Sequence, residues 1–314
     1  YKIKRMQWNL DRNNTSFAKE VAEYFEANKE PIIKQMRFHQ NIVLRYFEKY
    51  NARGLLIYHK MGLGKSMLAA AICDYLGTDV LFISAKSLHS NFEHTMKAYQ
   101  GIKRGNPGQK IFRGEVKFIS LNASNMFEQV NRALQTDLEQ FLNSNVKMRS
   151  SLDKKTVVVD EAHNLFNAIV NGSQNAVKLY RAITKSDCKV IFLTGSPLTN
   201  DPFELVPCFN MISGMNLFPE DYFEFTDYFT SESSIKNLSK FANRINGLVS
   251  YYAGTESVGT QVGMPEEKPL KEVVVTMSKY QYSLYAEAHK KEVELMLKQN
   301  NFKKAQALTK PKTG

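Results

Sequence analysis

His59 to Ser66 reads HKMGLGKS, a lysine and a hydroxyl behind two glycines, and it directly follows the apolar run Leu55 to Tyr58. Glycines at that spacing let a loop turn its backbone amides inward, and a helix opening at Lys65 adds the positive end of its dipole. Phosphate groups of a nucleotide are the ligand such a concentration of N–H groups suits. Met61, Gly62, Leu63 and Gly64 would form the cradle, Lys65 would reach the β and γ phosphates, and Ser66 would ligate Mg²⁺. His59 stands where the usual phosphate-loop pattern has its first glycine, so the strict expression is not met. Farther along, Val157 to His163 reads VVVDEAH, an apolar run ending in two adjacent carboxylates. At a strand tip Asp160 would hold Mg²⁺ through water, while Glu161 would face the γ-phosphate and polarise the attacking water. An acidic pair alone is more simply a helix start; with the glycine loop upstream, ATP with Mg²⁺ becomes the expected cofactor.

Such groups act only if a scaffold brings them together. Short apolar runs at Gly54–Tyr58, Val80–Ser84, Val116–Leu121, Thr156–Val159 and Lys189–Thr194 alternate with helical stretches such as Lys65–Leu76. Runs of that length without polar alternation suit strands buried on both faces, which predicts an α/β fold with a mostly parallel sheet and helices on both faces. Thr15–Lys29 and Arg37–Tyr50 carry apolar residues at helical spacing, and Lys279–Gln299 reads as another helix after a short strand at Lys271–Met277. Gly101–Gly114, with four glycines and four basic residues, reads as an exposed loop. The stripe Phe218, Tyr222, Phe223, Phe225, Tyr228 and Phe229 reads as packing against the lobe rather than as a platform for bases. The expected organisation is a helical N-terminal arm over 1–33, an ATPase lobe over 34–215, and a helical extension over 216–314.

Lys and Arg number 42 against 31 Asp and Glu, a formal charge of +11 that favours a polyanionic partner, nucleic acid ahead of an anionic membrane surface. No apolar stretch approaches the roughly 20 residues needed to span a bilayer, so no membrane helix is expected. Three widely spaced cysteines give neither a disulfide framework nor a Cys-rich zinc site, which suits a reducing intracellular compartment.

The set HKMGLGKS, DEAH and Leu193–Asn200 (LTGSPLTN) resembles superfamily 2 helicases, and the third element is similar to their Swi/Snf-type remodelling branch. Arg37–Gln40 (RFHQ) resembles that branch's adenine-reading glutamine motif, and Ala85–Phe92 (AKSLHSNF) its next nucleic-acid motif. Glu204–Gly214 and Val273–Tyr285 (VVVTMSKYQYSLY) resemble the segments after its first lobe, so the likeness spans Arg37 to Tyr285. Within the branch, Val116–Asn125 (VKFISLNASN) and Asn243–Gly254 (NRINGLVSYYAG) are similar to ATPases of large cytoplasmic DNA viruses. These are of the poxvirus early transcription factor small subunit and nucleoside triphosphate phosphohydrolase I type.

The resemblance implies a RecA-like P-loop NTPase lobe. It assigns Gln40 to the adenine edge with Arg37 nearby, Lys65 and Ser66 to phosphate and Mg²⁺, and Asp160 and Glu161 to metal and base. His163 and the turn Thr194, Gly195 and Ser196 would couple the γ-phosphate state to the nucleic-acid surface. Lys86, Ser87, Asn122, Asn125, Thr199 and Asn200 are candidates to hold a phosphate backbone, and Lys103, Arg104, Lys110 and Arg113 are weaker ones. The implied function is a motor lobe that translocates on duplex DNA in viral transcription initiation or termination, with transcription subunits as partners and the host cytoplasm or virion as location. Its rivals are a strand-unwinding helicase and a nucleotide-switched scaffold of a transcription complex. No second strand-helix series or arginine motif follows Tyr285. The chain therefore reads as a first lobe with the second absent, expected to hydrolyse ATP poorly in isolation.

Overall fold

The computed structural model describes residues 14–104, 114–136, 138–143, 150–230, 236–254 and 275–298. Each apolar run forms a strand: β1 (Gly54–His59), β2 (Val80–Ser84), β3 (Val116–Ser120), β4 (Thr156–Asp160) and β5 (Lys189–Thr194). A further strand, β6 (Val249–Tyr252), completes a six-stranded sheet in the order β3-β2-β4-β5-β1-β6, with every pair parallel.

Strand side chains alternate between two cores, as the two-residue period of a pleated strand requires. Leu56, Leu81, Ile83, Val157, Val159, Val190 and Phe192 enter one core; Leu55, Ile57, Val80, Phe82, Val158, Ile191 and Leu193 enter the other. The second core is closed by α1 (Asn14–Ala27), α2 (Phe38–Tyr50), α3 (Lys65–Leu76) and α4 (His89–Arg104). The first is closed by α5 (Met126–Leu134), α6 (Leu138–Asn143), α7 (His163–Val170), α8 (Gln174–Lys185), α9 (Leu205–Ser213), α10 (Tyr222–Phe229) and α11 (Leu238–Ile245). Helices thus cover both faces, the doubly wound arrangement that lets near-continuous apolar strands be buried on both sides.

A buried cation fixes the edge where the strands begin. Arg53 donates to the carbonyls of Ile183 and Ser186 at 2.8 Å, Ile212 at 3.3 Å, and Met211, tying the ends of α8 and α9 to the start of β1. Gly214 (φ 70°) makes room for it, since a Cβ there would lie 2.7 Å from Arg53 Nε. Of the aromatic stripe, Phe218, Phe225 and Phe229 are buried with Phe241, whereas Tyr222, Phe223 and Tyr228 are exposed.

Two compact units result, Tyr1–Gly259 and Thr260–Gly314. The breaks read from the sequence after residues 33 and 215 both fall inside the first unit. Phe17 of α1 shares a core with α2 and α3, and β6 joins the sheet from beyond residue 215. Described residues of the second unit are 275–278, without regular structure, and α12 (Lys279–Lys298). Of the strand expected at Lys271–Met277, residues 275–277 are not extended into a sheet and 271–274 lie outside the described residues. Of the loop expected at Gly101–Gly114, residues 101–104 are helical as the end of α4 and 105–113 lie outside the described residues. Among the described residues no helix is long and apolar enough to cross a membrane.

Candidate nucleotide site at the carboxyl edge of the sheet

Because all strands are parallel, every one ends on the same edge, and β4, β5 and β1 are neighbours there. The loop after β1 turns through Gly62 (φ 76°) and Gly64 (φ 78°), left-handed conformations that glycine adopts without steric cost. It then opens α3 at Lys65, and the ammonium of Lys65 folds back to donate to the carbonyls of His59 at 2.9 Å and Lys60 at 3.3 Å. From behind, two side chains of the first turn of α2 hold the loop: His39 Nε2 donates to Leu63 O and Gln40 Nε2 to Gly64 O, both at 3.0 Å. Gln40 Oε1 also accepts from Arg37 N at 2.9 Å. Both ends of the Gln40 amide are therefore engaged within the protein and the side chain is buried, while Arg37 is exposed. Each end keeps one hydrogen-bonding position, the second Nε2 hydrogen and the second Oε1 lone pair.

Facing the loop, β4 ends at Asp160, whose carboxyl is raised above the ordinary carboxylate range by burial, with the Glu161 charge adding to the rise and the Lys65 charge opposing it. Glu161 has φ 48°, a left-handed backbone costly for a side chain with a Cβ, and its N–H donates to Asp160 Oδ1 at 3.0 Å. His163 Nδ1 lies 2.9 Å from Thr194 Oγ1 and 3.5 Å from Glu161 Oε2. Buried Thr194 also accepts from Ser196 N at 3.0 Å. The circle closes at Gly195, where a Cβ would lie 3.6 Å from Met61 Cγ and 3.8 Å from Lys65 Nζ. Lys65, Asp160, Glu161, His163 and the Thr194–Ser196 turn thus form one connected cluster.

The remaining sequence candidates occupy flanking positions on the same edge. Exposed Lys86 and Ser87 follow β2 in a short 3-10 turn, and exposed Asn122 and Asn125 follow β3. Asn125 Oδ1 accepts from Gln129, which also receives the Ser120 N–H. Exposed Thr199 and Asn200 follow β5, but both the N–H and the hydroxyl of Thr199 donate to Glu204, at 2.9 and 2.7 Å. Burial alone would raise the Glu204 carboxyl; hydrogen bonds from Thr199 and Asn167 outweigh it and hold the group below its usual range. Glu204 as the organiser of this loop, and His39, Ser250 and Tyr252 beside the phosphate loop, were not found from sequence. His39, Ser250 and Tyr252 meet the loop through partners distant in the chain, whereas Glu204 sits five residues from Thr199. The side chains of Lys103, Arg104, Lys110 and Arg113 lie outside the described residues.

Among the described residues no group of three or more His, Cys, Asp or Glu side chains gathers as a metal cage. Ser66 in the first turn of α3 and Asp160 at the tip of β4 offer a hydroxyl and a carboxylate at this edge. That sparse set suits Mg²⁺, which keeps several waters and takes its other ligands from substrate phosphates.

The SNF2-related domain matches residues 1–313. The chain belongs to that family. SNF2-related domains are helicase-type ATPase domains. This SNF2-related domain is similar to the termination factor NPH-I homolog of African swine fever virus, 34% identical over 310 residues, 87% of this chain and 41% of that protein. The chain therefore spans about two fifths of the length of the curated relatives it matches. Among solved structures, the Sulfolobus solfataricus SWI2/SNF2 ATPase core in complex with dsDNA aligns over 72% of this chain and 46% of that one, at 18% identity and a TM-score of 0.45.

Proposed function

We propose that this SNF2-related domain is the nucleotide-hydrolysing lobe of a motor that moves along duplex DNA in the transcription of a large DNA virus. The observation that carries the reading is the convergence of Lys65, Asp160, Glu161, His163 and Thr194 on one sheet edge. The relative named as a termination factor supports its transcriptional part. The net charge of +11 supports a nucleic-acid partner.

In this reading Lys65 exchanges the His59 and Lys60 carbonyls for oxygens of the β and γ phosphates. The N–H groups of the glycine loop and of the α3 terminus hold the same phosphates. Ser66 and Asp160 would hold Mg²⁺, which when bound neutralises phosphate charge. Glu161 accepts the proton of the attacking water, its backbone fixed by the left-handed turn and the N–H bond to Asp160, and its carboxylate near His163. The one nitrogen His163 Nδ1 stands near both the Glu161 carboxylate and the Thr194 hydroxyl, so a change at the γ-phosphate reaches the loop Ser196–Asn200. Lys86, Ser87, Asn122, Asn125, Thr199 and Asn200 supply phosphate-backbone contacts and read no bases, as a translocase requires.

The test is a pair of assays on the full-length protein. Triplex displacement driven by ATP, without displacement of a duplex strand, is the expected result. Strand separation would identify an unwinding helicase, and unchanged transcriptional output from the Glu161→Gln variant would identify a scaffold.

A further inference from the structure

A phosphate loop that turns its N–H groups toward a ligand turns carbonyls outward, and each buried carbonyl needs a donor. Here Lys65 serves the carbonyls of His59 and Lys60, Gln40 serves Gly64, and His39 serves Leu63. Lys65 can leave its carbonyls for a phosphate; His39 and Gln40 are buried and stay.

His39 is held on two sides. Its ring stacks on Tyr252 of β6, with centroids 4.3 Å apart and planes 18° from parallel, and meets the edge of His59 at 5.4 Å. His59 is itself fixed to β6 through Ser250 Oγ, 2.9 Å from its Nε2, and the carbonyl of Tyr252 accepts from Lys60 N at 3.1 Å. A carbonyl can only accept, so the His39 proton sits on Nε2 and the ring orientation set by Tyr252 aims that donor at Leu63. Burial favours the neutral ring.

We propose that His39 is a positioning residue: it fixes the peptide units of the phosphate loop through the Leu63 carbonyl and makes ATP affinity depend on Tyr252, so that β6 and the loop move as one body. The inference rests on the ATP reading of the loop given above.

Five variants of the full-length protein test it, each measured for ATP KM, kcat and thermal midpoint. His39→Phe keeps the ring on Tyr252 and removes the donor; it should raise KM by about three- to tenfold, the worth of one lost hydrogen bond, with kcat little changed. His39→Gln restores a donor at similar reach and should recover most of that loss. Tyr252→Ala should raise KM like His39→Ala, and the double variant should add little to either single one, the signature of residues acting as a unit. A His39→Phe enzyme with wild-type KM, or additive effects of His39→Ala and Tyr252→Ala, would overturn the inference while leaving the ATP site standing. Equal losses of thermal midpoint in His39→Phe and His39→Gln with KM unmoved would do the same, by reducing His39 to a core residue. Absence of saturable ATP binding by the wild-type protein would overturn both readings together.

Discussion

His163 Nδ1 lies 2.9 Å from the hydroxyl of Thr194, joining the first turn of α7 to the tip of β5. Thr194 is fully buried and also receives the Ser196 N–H, so its one hydroxyl serves two loops. Thr194→Val would leave that N–H and the imidazole without their partner, at a cost of about 1–3 kcal/mol. We expect Thr194→Val and His163→Ala each to lower DNA-stimulated kcat by about tenfold, and the double variant to lose scarcely more than either. Steady-state ATPase assays on the three variants check this; multiplying effects would separate the two residues.

Glu161 sits in a left-handed turn with its amide on Asp160. Glu161→Gln keeps shape and backbone demands but removes the base. Hydrolysis should fall by about a hundredfold or more, while ATP binding followed by a fluorescent analogue stays within the wild-type range. Loss of binding alongside hydrolysis would move Glu161 from base to structural element.

His59 is buried between β6 and the loop, and burial first, then the neighbouring His39 and Lys65 charges, push its pKa down to about 4. The unfolded imidazole takes its proton near 6.5. Below that pH the unfolded chain therefore binds a proton that the folded one refuses. Stability should be full above about pH 6.5 and decline as the pH falls toward 4, by about 3 kcal/mol at most. The lowered pKa of His39 acts in the same direction. Urea midpoints at about pH 7.5 and about pH 5, for wild type and His59→Gln, measure it; the decline should be smaller in the variant.

Arg53 places a buried charge among the carbonyls of Ile183, Ser186, Met211 and Ile212. Arg53→Ala takes the guanidinium away from those acceptors and should cost about 3 kcal/mol of unfolding free energy. Arg53→Lys cannot span the same set with one ammonium and should recover only part of it. Chemical denaturation of both variants tests the clasp, and a neutral Arg53→Ala would refute it.

Strands β1 to β5 were legible because parallel strands buried on both faces are written as unbroken apolar runs, as in Val80–Ser84 (VLFIS) and Lys189–Thr194 (KVIFLT). Val249–Tyr252 (VSYY) escaped that criterion, since it is short, half polar, and a strand only by pairing with β1 from almost two hundred residues away. The phosphate loop and the acidic pair announced themselves by residue type. His59 looked only like a departure from the glycine pattern; its place against His39, Ser250 and Tyr252 depends on β6 and α2, which local sequence does not report. Glu204 lies only five residues from Thr199, but the turn that folds Thr199 back onto it, and Asn167 of α7 that also reaches it, show only in the fold.

Strand β6 also has a consequence for how the chain can be cut. By pairing with Leu56–His59 it shields the outer side of β1, the strand that delivers the phosphate loop. A fragment trimmed after α9 would bare a row of unpaired amides and carbonyls on an apolar strand, an invitation to self-association between copies. Expression boundaries placed beyond Gly254 avoid that hazard.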